Sequence, residues 1–241
     1  MKLCVVAAAF YEDASQIQLL VESCRELKLP LHLYGEGEVF ANLREAKVLR
    51  LHEKLEKLKA EYILVTDAAD SFLLAKESEI LHKFFDFGKP IVISAEKTCY
   101  PQCSLATRYP ISSTPWRYAN SGGYIGKRDD LITLLRMLAK MKPEGQFRRS
   151  RDWENDQLLL SLAYCDGVKY EKNGLALDNH CVIFQTMRGA NLEYGREFVW
   201  NENGRLVNKF TGTVPSVLHF NGNTPGMREA YEKSRELLYH H

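Results

Sequence analysis

Two carboxylates three residues apart, Asp67 and Asp70, close an otherwise apolar run in YILVTDAADSF, residues 62–72. An extended strand sends successive side chains to opposite faces, so a spacing of three brings both acids together only where the chain turns. The two small alanines between them permit that turn. Converging carboxylates repel unless a cation neutralises them, and hard oxygen donors suit magnesium or manganese. Taken alone, a D-x-x-D pattern is weak, because a helix-capping acid beside a surface acid explains it as simply. A second segment adds a nitrogen donor. SVLHFNGN places His219 after Val217 and Leu218 and ahead of a glycine turn bearing Asn221 and Asn223. A neutral imidazole beside two carboxylates favours manganese, since magnesium is less inclined to take nitrogen. A lone histidine on an apolar strand is more often structural, but the glycine- and amide-rich turn after it suits a loop that meets phosphates with backbone donors.

The elements that would position these groups follow from apolar periodicity. Residues 3–9 read as a strand, and SQIQLLVESCRELKLP places Ile17, Leu20, Cys24 and Leu27 on one helical stripe that stops before Pro30. A short strand, LHLYG, leads to a glycine-bearing loop. Val48, Leu51, Leu55 and Leu58 then repeat the helical spacing among lysines and glutamates, whose plain role is a solvated face. The strand YILVT, the acidic turn, a helix near 77–86 and the strand PIVISAE come next. This alternation is that of an open α/β sheet, whose ligands sit beyond the carboxyl ends of the strands. Residues 99–116 read as a surface loop rich in Pro, Ser and Thr. YANSGGYIG follows, where Gly122, Gly123 and Gly126 allow a tight turn or a close approach. A helix is expected from about Asp129 to Met141, and another beginning near Asp152, Glu154 and Asp156. Short strands, turns and a polar final helix complete a chain read as one domain over residues 1–241.

The 241 residues are 45% hydrophobic, enough for a sizeable core. The 32 basic and 31 acidic side chains leave a formal charge of +1, so no global field recruits nucleic acid or an anionic membrane. An anionic ligand must be held locally. The apolar run LCVVAAAF is too short to span a bilayer and lacks a cleavage region, so it reads as the first strand. The six cysteines form no regular framework, which fits reduced thiols and a cytoplasmic location. TCYPQC offers two thiolates, but no second pair at zinc-finger spacing accompanies them.

Six segments, ILVTDAAD, IVISAEKTCYPQ, YANSGGYIGK, NDQLLL, LDNHCVIFQ and VLHFNGN, stand in the order and rough spacing of the glycosyltransferase domain of procollagen lysyl hydroxylases and related collagen-type enzymes. The resemblance spans roughly Leu3 to Asn223. It implies a single-domain GT-A fold, a Rossmann-like open mixed sheet flanked by helices, that binds a UDP-sugar through a divalent metal, Mn2+ or Mg2+. The family's metal ligands fall on Asp67, Asp70 and His219. Asn120, Ser121 and Gly122 would wall the donor pocket, and Ala7, Ala9 and Phe10 at the end of the first strand would border the nucleotide. Asn221 and Gly222 would meet the phosphates. Lys47 matches a lysine of that domain and would approach the diphosphate, while a solvated helix lysine explains it equally well. Asp156 would orient or deprotonate the acceptor hydroxyl, with helix capping as its structural alternative.

Two departures stand out. The family often has an aromatic residue before the second aspartate, where it can stack on uracil, and this chain has Ala69. Tyr11 or Phe10 could take that role. The acid cluster before DQL is DWEND here, so Asn155 replaces an acid. The hydroxylase's iron and 2-oxoglutarate domain has no counterpart in these residues. The expected activity is transfer of a glucose or galactose from a UDP-sugar to a hydroxyl acceptor on a glycan, lipid or protein. The alternative is a non-catalytic nucleotide-sugar-binding module of the same fold. A nucleotidyltransferase would need a glycine- and basic-rich triphosphate loop that AAAFYEDAS lacks.

Overall fold

The structure is a computed structural model that describes residues 2–9, 13–142, 154–166, 174–190 and 196–239. Its elements run β1 (Leu3–Ala8), α1 (Gln18–Glu26), β2 (Leu31–Tyr34), α2 (Leu51–Lys57), β3 (Tyr62–Thr66), β4 (Ser71–Leu73), α3 (Glu77–Asp86), β5 (Ile91–Glu96) and β6 (Tyr118–Lys127). There follow α4 (Arg128–Lys140), α5 (Asp156–Cys165), β7 (Leu175–Asp178), β8 (Phe184–Thr186), β9 (Phe198–Trp200), β10 (Leu206–Asn208), β11 (Val217–His219) and α6 (Met227–Tyr239). A six-stranded sheet has the order β2-β1-β3-β6-β5-β7, and β6 runs antiparallel to both its neighbours in an otherwise parallel array. A three-stranded sheet, β4-β11-β8, and the hairpin β9–β10 complete the strands. This is the open mixed α/β architecture expected.

The near-continuous apolar runs of β1, β3 and β5 make sense because both faces of the large sheet are covered. Cys4, Val6, Ile63, Val65, Ile91 and Ile93 face one core, which receives Leu51 and Leu55 of α2, Leu131, Leu134, Leu135 and Leu138 of α4, and Leu158 and Leu162 of α5. The alternate residues Leu3, Val5, Leu64 and Val92 face the other, with Leu20 and Cys24 of α1 and Ile80, Leu81 and Phe84 of α3. The helical stripe at 17–27 is realised, although its first turn, Ala14–Ile17, is a 3-10 turn capped by Asp13.

Of the two uses expected for the glycines of YANSGGYIG, the structure shows the close approach and not the tight turn: the segment is most of the ten-residue strand β6 in the middle of the sheet. The strand remains glycine-rich for a positional reason. Its pairing with β5 jumps from Ile93↔Tyr124 to Ala95↔Ala119, so Asn120–Gly123 bulge out against Ser94 alone. Across the same strand, β3 keeps its ladder as far as Thr66↔Gly123. The bulge therefore sits at the end of β3, where the acidic turn begins.

Candidate functional site

The turn after β3 makes Asp67 and Asp70 converge. The Asp67 backbone N–H donates to Gly122 O at 3.1 Å, Thr66 Oγ1 lies 2.8 Å from Ser71 Oγ, and Ser71 Oγ donates to Asp67 O. Antiparallel pairing of β4 with β11 then sets His219 opposite Ser71, and the Phe220 N–H donates to Asp70 O at 2.7 Å. One ligand atom from each of Asp67, Asp70 and His219 falls within 4.8 Å of the other two. His219 Nε2 is 3.2 Å from Asp70 Oδ1 and 3.5 Å from Asp67 Oδ2. Yet Asp70 Oδ1 and both ring nitrogens are buried without a hydrogen-bond partner. An orphaned oxygen of Asp70 and an orphaned imidazole, converging with the Lys47-paired Asp67, fit a divalent cation.

Gly122 closes this cradle. A Cβ there would lie 2.0 Å from His219 Cε1 and 2.8 Å from Asp67 Oδ2, so only glycine lets the strand pass. Burial alone would keep His219 neutral, but the charges of Asp70 and Asp67 raise its pKa to about 10. Burial likewise opposes ionisation of Asp67, and Lys47 and His219 overcome it, holding the carboxyl far below its usual range.

Lys47 is not a solvated helix lysine. It lies in a six-residue π-helical turn, Glu45–Arg50, leading into α2, and its side chain is only 17% exposed. Its Nζ is 2.5 Å from Asp67 Oδ1 and 3.4 Å from Asp156 Oδ2. Burial would lower its pKa, but Asp156 and Asp67 together push it well above the ordinary value. The capping alternative for Asp156 is also corrected. Asn155 is the cap of α5, its Oδ1 accepting from the Gln157 and Leu158 N–H groups at 2.9 and 3.2 Å. Asp156, with a side chain 7% exposed, is free of that duty and faces Lys47. Asn is as good a cap as Asp, which accounts for Asn155 where an acid was expected.

Of the remaining sequence-derived positions, Ala9 lies just past β1, whose parallel pairing with β3 puts it at the same sheet edge as Asp67. Ala7 is wholly buried within β1 with its side chain in the core, so it is not placed to meet a ligand side-on. Ala69 is half-buried between the two acids. Phe10, Tyr11 and Asp152 lie outside the described residues. Asn120 and Ser121 immediately precede Gly122 in the β6 bulge, and Asn221 and Gly222 follow His219 in the turn after β11.

With this geometry in place, the comparison with known proteins is specific: a family model for the PLOD GT domain matches residues 1–229. The chain belongs to that glycosyltransferase-domain family. Human multifunctional procollagen lysine hydroxylase and glycosyltransferase LH3 is 30% identical over 233 residues, which cover 92% of this chain and 30% of that protein. Human procollagen-lysine,2-oxoglutarate 5-dioxygenase 1 is 34% identical over 190 residues, 79% of this chain and 24% of that one. The chain thus spans less than a third of the length of these relatives. A crystal structure of a glycosyltransferase involved in glycosylation of the major capsid of PBCV-1 superposes with a TM-score of 0.56 at 11% identity, covering 98% of this chain and 99% of the other. That likeness is one of fold.

This PLOD GT domain also contains a group that sequence reasoning missed. Glu96, 2% exposed at the end of β5, accepts from Asn120 Nδ2 at 3.2 Å, Gln157 Nε2 at 2.6 Å and Asn221 Nδ2 at 3.1 Å. One buried carboxylate thereby ties the β6 bulge, the start of α5 and the turn after β11 together. Burial raises its pKa, and the hydrogen bonds from Asn120 and Gln157 offset part of that cost. The only sequence signal was a charged residue ending an apolar strand. In the motif LDNHCVIFQ the acid proves structural: Asp178 accepts from the Val182, Ile183 and Phe184 N–H groups at 2.7, 2.7 and 2.8 Å.

Proposed function

We propose that this domain transfers a hexose, glucose or galactose, from a UDP-sugar to a hydroxyl acceptor, with a divalent cation, manganese first among candidates, held by Asp67, Asp70 and His219. One observation carries the proposal: two carboxylates and an imidazole converge beneath Gly122, and Asp70 Oδ1 and both His219 ring nitrogens are buried with no hydrogen bond of good geometry. When bound, such a cation neutralises charge developing on a diphosphate leaving group. The protein's own groups do the rest. Lys47 braces Asp67 and adds a positive charge beside it. The bulge at Asn120–Gly122 shapes the wall next to the metal ligands, and Glu96 holds it in register with the Asn221–Gly222 turn. Asp156, buried at the first turn of α5, is the carboxylate available to orient or deprotonate the acceptor hydroxyl.

The alternative, a module that binds a nucleotide sugar without turnover, draws on the Lys47–Asp67 contact at 2.5 Å, because the chain's own lysine already neutralises one of the acids. A UDP-release assay over a panel of UDP-sugars with manganese separates the two readings, since only the enzyme releases UDP catalytically. Calorimetry tests the metal role: UDP should bind much more weakly after chelation, because the diphosphate completes a coordination shell that three side chains leave open. Equal UDP affinity with and without metal would overturn the site assignment.

A further inference from the structure

Arg188, which no sequence motif singled out, stands beside this site on a rigid mount. It follows β8, whose parallel pairing with β11 sets Thr186 opposite His219, and the Met187 N–H donates to His219 O at 2.8 Å. The Arg188 N–H donates in turn to Asn221 Oδ1 at 3.1 Å. Its side chain lies against the Gly222 backbone. A Cβ on Gly222, where φ is +69°, would sit 3.0 Å from Arg188 Cδ and 3.2 Å from Nε. The guanidinium carbon is 6.0 Å from the ring centroid of Tyr100, whose carbonyl is held by Gln157 Nε2 at 3.1 Å. Among the described residues no carboxylate forms an ion pair with Arg188, whereas Arg50, Arg128, Arg136, Arg205 and Arg235 all have one. An exposed guanidinium that makes no ion pair among the described residues, within electrostatic reach of the buried Glu96 and next to the cradle of Asp67, Asp70 and His219, is suited to an anion that the cradle also holds.

The sheet order says which part of that anion it would reach. In β1-β3-β6-β5 the metal acids end β3, and the end of β1, which would border the nucleoside, lies on one side of them. β8 lies on the other side, next to β5, where Thr186 Oγ1 donates to Ala95 O at 2.8 Å. A diphosphate spanning the metal would therefore turn its α-phosphate toward β1 and its β-phosphate toward Arg188. On the reading that the donor is a UDP-sugar, we propose that Arg188 is a positioning residue for the donor's β-phosphate, a second cation supplied by the protein at the Gly222 turn. In transfer, the bond between the anomeric carbon and the β-phosphate oxygen breaks with both electrons passing to that oxygen. The acceptor oxygen bonds the anomeric carbon and gives up its proton to the Asp156 carboxylate. The added charge on the leaving diphosphate then lies within reach of a bidentate donor.

The test uses UDP and UMP, which differ by the β-phosphate. With saturating manganese, Arg188→Ala should weaken UDP binding by about tenfold or more and change UMP binding less than about twofold, the loss expected for a charge-assisted hydrogen-bonded pair. Arg188→Lys, a point charge without the fork, should fall between the two. Manganese affinity without nucleotide should not change. Wild-type protein that binds neither nucleotide with manganese would sink the UDP-sugar reading itself. Wild-type binding of UDP, together with equal losses on UDP and UMP or no loss on either, would sink the role of Arg188 alone.

Discussion

The cradle formed by Asp67, Asp70 and His219, the proposed metal site, depends on a residue with no side chain. Because a Cβ on Gly122 would lie 2.0 Å from His219 Cε1, Gly122→Ala must displace the imidazole or the strand. Manganese affinity should fall at least about tenfold, the scale on which metal sites respond to loss of ligand orientation, and the thermal midpoint should drop as for an overpacked core. Titration calorimetry and a melting curve read both. Asp156 gives a cleaner test, since Asn155 does the capping. Asp156→Asn should leave UDP and manganese affinity within about twofold while transfer slows by ~10² or more, the usual scale for losing a positioned general base. Full transfer activity in that variant would exclude the catalytic role, and weakened UDP binding would move the residue to the donor side. The types of Asp67, Asp70 and His219 were compatible with a hard cation, but D-x-x-D read equally well as a cap beside a surface acid, and it was the family resemblance that joined the three as ligands. Lys47 did not announce itself, because a lysine among lysines and glutamates looks solvated until a partner is seen to bury it.

At the scale of elements, α3 is clamped to the segment that delivers β11. Glu79 accepts from Arg205 Nη1 and Nη2 at 2.9 and 2.8 Å and from Lys83 Nζ at 2.6 Å, and Lys83 also donates to Val214 O at 2.5 Å. Burial works against the Glu79 charge, but the bonds from Arg205 and Lys83 overcome it and draw the carboxyl from 4.5 to about 2. Burial lowers the Lys83 pKa despite the same contact. A folded-state pKa below the unfolded one contributes stability that is present above pH 4.5 and is lost as the pH falls toward 2. Glu79 is 37% exposed, so solvent screening reduces this to about 1 kcal/mol. Wild type should therefore exceed Glu79→Gln in stability at pH 6 and lose that advantage by about pH 2, as followed by urea unfolding. A constant difference across that range would remove the clamp. The elements themselves were legible where their pattern was local, as in β1, β3 and α3. The β6 bulge was not, because glycines that spare a clash with His219 look in sequence like glycines that make a turn.

Across the whole molecule, the C-terminal helix supports β4 and the turn after β11 from behind. Tyr231 of α6 packs edge-on against Phe72 of β4 at 5.2 Å between centroids, and Phe72 stacks with Phe220 at 6.1 Å. Tyr231 Oη donates to Glu26 Oε1 at 3.2 Å, and Arg235 pairs with Glu26 at 2.7 Å, so the helix is also tied to α1. Tyr231→Ala should cost about 3 kcal/mol, as large-to-small core changes do, and be seen as a lower denaturation midpoint. A change below about 1 kcal/mol would mean that α6 does not brace the site. Much of this architecture was encoded locally. Apolar runs of strand length, separated by helical stripes, specify an open α/β sheet because side-chain alternation is settled within a few residues. The kinds of residue at 67, 70 and 219 suit a hard cation because donor atoms carry their preferences with them. What the tertiary structure decided is everything that needs partners far apart in the chain. The reversed β6 and its bulge, the burial of Lys47 between Asp67 and Asp156, the three bonds of Glu96 and the position of Arg188 beyond His219 all follow from strand order and register. These depend on which distant strands pair, and a charged side chain is solvated or functional only according to what that pairing places beside it.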